Sequence, residues 1–131
     1  MRNPNFTNLL KVLKHEVPSR PTLFEFFMNE RLYKKLVSND IYSMSDKLAH
    51  YRVLIHAFKN AGYDYATVLV SDFKFPKGAR HEGKSISQNE GALITDRESF
   101  EKYVWPDANA FDYSALSEIK NELPEGMKLI V

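Results

Sequence analysis

The 131-residue sequence predicts an α/β fold, parallel strands joined by helices, and two observations predict it. Apolar runs at 22–27 (TLFEFF), 65–70 (YATVLV) and 127–131 (MKLIV) have the length of strands. The segments between them carry apolar residues at helical spacing, most clearly over 46–61. Strands separated by helical connections pair in parallel through right-handed crossovers.

Residues 7–16 form the first expected helix, with Leu9, Leu10, Val12 and Leu13 on one broad face. Pro18 and Pro21 flank a loop, VPSRP, that stops it. The first expected strand, 22–27, follows, then a short helix over 31–37 and a polar connector over 38–43. Ser45 is placed to N-cap a long helix over 46–61. Its stripe is Leu48, Tyr51, Ile55 and Phe58, broadened by Val53, Leu54 and Ala57, and Gly62 supplies the stop. The second strand covers 65–70.

Residues 73–93 read as one irregular stretch with Gly78, Gly83 and Gly91, and with Lys77, Arg80, His81 and Lys84 between them. Loops of that length inside compact domains are usually functional. Thr95 and Glu98 have capping-box spacing and open a helix through Tyr103, which Trp105, Pro106 and Asp107 end. Asp112 is placed to cap a last helix bearing Leu116, Ile119 and Leu123. Pro124, Glu125 and Gly126 make a turn into the third strand. An apolar strand at the end leaves open sheet edges and an uncovered face. The order matches the opening of a (β/α)8 barrel, a fold of about 250 residues. Residues 1–131 therefore read as an N-terminal fragment: a partial TIM barrel with three parallel strands and intervening helices. The alternative is a small α/β domain completed by self-association, a homo-oligomer.

Composition narrows the function classes. Net charge is +1, from 18 basic and 17 acidic residues, so nothing electrostatic favours nucleic acid or an anionic membrane as partner. No stretch approaches the ~20 apolar residues of a membrane span, and the N-terminus is too polar for a secretory signal. The chain has no cysteine, which removes disulfides and thiolate chemistry and makes the cytoplasm the expected compartment. A small-molecule substrate is the expected partner.

The candidate catalytic residue is Asp72, which follows Ser71 where the second strand stops. An acid there is expensive to bury without a role or a partner, and in parallel barrels the C-terminal ends of strands carry the chemistry. The competing reading has Asp72 capping a turn or pairing with Lys74, Lys77 or Arg80. Glu25, between Phe24 and Phe26, points either into a barrel mouth or toward a partner on the helix side. His50 and His56 are six apart on one helix, which is not a same-face ligand spacing. His81 and Arg80 read best as solvated loop residues, and Tyr103 and Trp105 as packing residues under the last helix. No phosphate loop, nucleophile elbow or calcium loop is present.

Three stretches together resemble the N-terminal part of the uroporphyrinogen decarboxylase-like family, including its corrinoid-dependent methyltransferase branch. NLLKVLKHEVPSRPTLFEF resembles the family's opening helix, Pro-flanked loop and first strand. AGYDYATVLVSDFKFPKGA resembles its helix end, strand and Ser-Asp step. GALITDRESFEKYVWPDANAFDYSALSEIKNELPEGMKLIV resembles the segment leading into its next strand. The resemblance implies that Asp72 stabilises charge developing on a substrate ring during decarboxylation, with Ser71 binding substrate beside it.

The family's arginine-rich turn after the first strand, Met-Arg-Gln-Ala-Gly-Arg-Tyr, holds substrate carboxylates. Here that region reads Phe24-Glu25-Phe26-Phe27-Met28-Asn29-Glu30-Arg31-Leu32-Tyr33. Its first arginine is missing, while Arg31 and Tyr33 resemble the Arg-Tyr end at altered spacing and, with Glu25, are the implied substrate-binding residues. A substrate with several carboxylates needs fixed guanidinium forks, so uroporphyrinogen itself is not the expected substrate. No cofactor is expected within this chain. Zinc or a corrinoid is implied only for a full-length methyltransferase-branch parent, and the chain alone is expected to lack most of the active site.

Overall fold

The computed structural model describes residues 2–69, 71–76, 78 and 91–131. They fall into two compact units, Met1–Val70 with Tyr113–Val131, and Ser71–Asp112.

The first unit is built on α4 (Ala49–Ala61) and a two-stranded sheet; it also holds α1 (Thr7–Leu13), α2 (Glu30–Leu36), α3 (Asn39–Tyr42) and α6 (Ser114–Ile119). Strand β1 (Tyr65–Thr67) pairs in parallel with β2 (Lys128–Ile130), Tyr65 opposite Lys128 and Thr67 opposite Ile130. The parallel pairing is the one the sequence predicts. Helix α4 packs on β1, and α2 packs on α4. Ile55, Ala57 and Phe58 of α4 are buried with Tyr65, Ala66, Val68, Ile119 and Met127.

Local chemistry sets the ends of these elements. Helix α1 stops before residue 16 because the chain turns through His15 at φ 60°. Buried Asn8 then accepts from both the amide (2.9 Å) and the hydroxyl (2.8 Å) of Ser19, which fastens the proline-flanked loop. Asn29 caps α2 by accepting from the Leu32 amide at 3.0 Å. Ser45 does not cap α4; the helix begins at Ala49, and the Asp46 carboxylate accepts the Leu48 amide at 2.9 Å. A carboxylate is the stronger acceptor. Gly62, at φ 91°, ends α4 with the Tyr63 amide bonded back to the Phe58 carbonyl at 3.0 Å. The expected polar connector contains the short α3, and α6 begins at Ser114, directly after Tyr113 rather than after Asp112.

The expected first strand is not a strand. Residues 22–27 join no sheet, so two parallel strands stand where three are expected among the described residues. The physical reason lies at Glu25. Its amide donates to the Tyr65 hydroxyl at 2.6 Å, and that hydroxyl donates to the Glu25 carbonyl at 2.7 Å. One side chain satisfies what a neighbouring strand would have satisfied. The partial (β/α)8 barrel with three parallel strands expected from the sequence is therefore not shown; the architecture is mixed helix with a small parallel sheet of two strands among the described residues.

The second unit contains α5 (Arg97–Lys102) and a 3-10 turn, Ala108–Ala110. Its capping box uses Asp96 and Ser99, one residue later than Thr95 and Glu98. The Ser99 amide donates to Asp96 at 2.8 Å, and the Asp96 amide donates to the Ser99 hydroxyl at 3.0 Å. Glu98 pairs instead with Lys102. Phe73, Phe75, Phe100, Tyr103, Trp105 and Phe111 form an edge-to-face cluster, with Tyr103 and Trp105 centroids 4.8 Å apart. The Gly78 amide donates to the Gly91 carbonyl at 3.0 Å. Val70, Lys77, Arg80, His81, Gly83 and Lys84 lie outside the described residues.

Candidate functional site

Two buried tyrosines shape the region around Glu25. Tyr65 leads β1 and packs against Phe58 of α4 and against Phe24, with ring centroids 5.9 and 5.7 Å away. Burial pushes its hydroxyl pKa up, so it stays protonated and can both accept and donate at Glu25. Tyr33, only 7% exposed, accepts the Met28 amide at 2.9 Å. The two hydroxyls thus hold the backbone at both ends of the 25–28 segment. Beside it lies a groove of about 650 Å³ lined by Leu23, Glu25, Phe27, Met28, Asn29 and Leu32. Its walls are mostly apolar. Glu25 supplies a carboxylate, one oxygen of which accepts the Phe26 amide at 2.9 Å. Such a groove suits a small amphipathic molecule with a donor or cationic group.

The structure therefore brings Glu25 and Tyr33 to one segment. Tyr33's hydroxyl is engaged in holding backbone, and Arg31 is exposed in the first turn of α2. In the second unit, the Ser71 hydroxyl accepts the Phe73 amide at 3.1 Å, forming a tight turn around Asp72. The Asp72 carboxylate is exposed and has no hydrogen-bond or ion-pair partner among the described residues. Of the pairings weighed for it, Lys74 makes none, and Lys77 and Arg80 lie outside the described residues. His50 is exposed and His56 half-buried on α4. Among the described residues no group of three or more His, Asp or Glu side chains is arranged to hold a metal ion. No described helix is long and apolar enough to cross a membrane.

Sequence reasoning missed the most heavily engaged acid among the described residues. Asp64, 3% exposed, immediately precedes β1. It accepts the Asn5 amide at 2.8 Å and Arg20 at 2.5 Å, and it pairs with Arg2 at 3.4 Å. Arg2 also donates to the Pro21 carbonyl at 3.0 Å, and Arg20 to the Asn3 carbonyl at 2.8 Å. The signal was available: Asp64 borders the apolar run at its start as Asp72 does at its end, and the same cost of burial applies. No family model, curated protein or solved structure matches the chain.

Proposed function

We propose that this chain supplies β/α elements of a barrel enzyme resembling the uroporphyrinogen decarboxylase-like family, acting in the cytoplasm on a small, non-porphyrin substrate. Asp72 is its charge-stabilising acid, and the chemistry is decarboxylation or transfer of a methyl group. One observation carries the reading: β1 and β2 run parallel, so their C-terminal ends share one edge of the sheet. That is the edge where parallel α/β folds place their chemistry, and Ser71-Asp72 follows β1 in the chain. Asp72's lack of a described partner leaves its charge available to a substrate. The missing arginine before Met28 supports a substrate with few carboxylates.

The test is release of labelled carbon dioxide from small carboxylic acids by the enzyme that carries this chain. Asp72→Asn keeps the shape and removes the charge. Turnover is expected to fall at least about tenfold, or roughly 1.4 kcal/mol of barrier, with an unchanged melting temperature. Equal turnover in the variant dismisses Asp72 as the acid.

A second reading, a non-catalytic domain that binds or self-associates, is favoured by the exposure of Phe24, Phe26 and Phe27, the last 75% exposed. Sedimentation velocity across a concentration series decides it. Association lost in Phe27→Ser supports its self-associating form, and a monomer at every concentration ends that form.

A further inference from the structure

The ladder of β1 ends on one bond, from the Val68 amide to the Ile130 carbonyl at 3.0 Å. Beyond it the sheet no longer holds the chain, and Ser71-Asp72 begins three residues later. What holds the interval comes from α4. The Tyr51 hydroxyl donates to the Leu69 carbonyl at 3.0 Å. That is the one hydrogen bond Leu69 makes among the described residues. Leu69 is 82% exposed, so packing does not anchor it. The exit of the chain from β1 therefore hangs on one tyrosine hydroxyl.

Helix α4 and β1 run in opposite directions, which brings the two residues level. Phe58, late in α4, meets the Tyr65 ring at the start of β1 with centroids 5.9 Å apart, and Tyr51, early in α4, meets Leu69 just past its end. From Tyr51 to Ala61 the helix rises about 15 Å, and from Tyr65 to Leu69 an extended chain covers about 13 Å. The Tyr51 ring is partly buried against the core. A phenylalanine ring would pack as well there; only the hydroxyl can satisfy a carbonyl. We propose that Tyr51 is a positioning residue: its hydroxyl fixes the point where the chain leaves β1 and so sets how Ser71-Asp72 is presented to substrate. This inference rests on the reading of Asp72 as the charge-stabilising acid, and it adds a residue that does not itself touch substrate.

Tyr51→Phe removes the hydroxyl and keeps the ring, and two readouts follow it in the protein that carries this chain. In nitrogen-15 relaxation, the order parameters of the Leu69, Ser71 and Asp72 amides are expected to fall, while those of Ala66 and Val68, held in the ladder, stay as they are. In the turnover assay, kcat is expected to fall about fivefold with little change in KM, because a displaced reacting group loses alignment rather than affinity. In the Asp72→Asn background, Tyr51→Phe is expected to lower kcat no further, since it acts through that acid. A merely structural residue would lower kcat equally in both backgrounds. Unchanged order parameters at the three amides overturn the tether, whatever reaction the enzyme performs. Unchanged kcat in Tyr51→Phe, or additive losses in the double variant, overturn the positioning role. Equal turnover in Asp72→Asn alone ends the reading of Asp72 and the positioning role with it, and the relaxation result then supports or overturns the tether by itself.

Discussion

Asp64→Asn tests the network that seats the N-terminal residues against the start of β1. The substitution keeps the shape and removes the charge that Arg20 meets at 2.5 Å and Arg2 at 3.4 Å. Breaking a buried ion pair from one side costs about 3–5 kcal/mol, because it strands the opposite charge. Both arginine side chains are 29% exposed, so water recovers part of their solvation. The low end, about 3 kcal/mol, is therefore expected. Against a total stability of roughly 5–15 kcal/mol, that is a large fraction. Urea unfolding followed by circular dichroism should show a lower midpoint with an unchanged slope. In a double-mutant cycle, Asp64 should couple more strongly to Arg20 than to Arg2, following the two distances. A loss below about 1 kcal/mol, or equal coupling to both arginines, would refute the reasoning.

Tyr65→Phe removes both hydroxyl bonds to Glu25 and is expected to cost about 1–2 kcal/mol, with faster hydrogen exchange at the Glu25 amide; unchanged exchange there would contradict the strand-substitute role. Arg52 meets Asp46 at 2.7 Å and Glu122 at 2.6 Å and holds both carboxyls below their ordinary 3.8 and 4.5. Depressed carboxyl pKa values make these contributions complete above the unfolded values and lost as pH falls through the folded ones. Stability should therefore decline as pH drops below 4.5, and Arg52→Gln should flatten that decline. His56, pulled below its ordinary 6.5 mainly by burial, adds an earlier loss as pH falls below that value, which His56→Gln separates.

The sequence made plain those features that depend on one strong local signal. Gly62 could end α4 because a left-handed residue suits glycine, and φ 91° is what the chain adopts there. The parallel pairing of 65–67 with 128–130 followed from the helical length between two apolar runs. Residues 22–27 have the apolar pattern of a strand, but pattern does not reveal what will meet the backbone. A tyrosine hydroxyl 40 residues away met it instead. The cap of α5 slipped by one residue where two acceptors stood side by side, Thr95 and Asp96, and α4 starts at Ala49, after the turn that Asp46 holds rather than at a Ser45 cap. Asp72 was singled out by asking what an acid does beside an apolar strand. Asp64 escaped because the question was put to only one end of that strand.

The turn at Gly126 has a consequence for the order in which the protein is made. Its carbonyl accepts the Phe6 amide at 2.9 Å, and a Cβ on residue 126 would lie 2.3 Å from the Pro4 carbonyl oxygen. Residues 4–6 are thus seated by a segment synthesised some 120 positions later. During translation the first helix emerges with its docking surface still unbuilt, and β1 emerges without the strand that completes its ladder. Contacts of such long separation close late and slow folding, so the nascent chain carries the seat of residues 4–6 and the partner edge of β1 unfilled until the segment around residue 126 has cleared the ribosome.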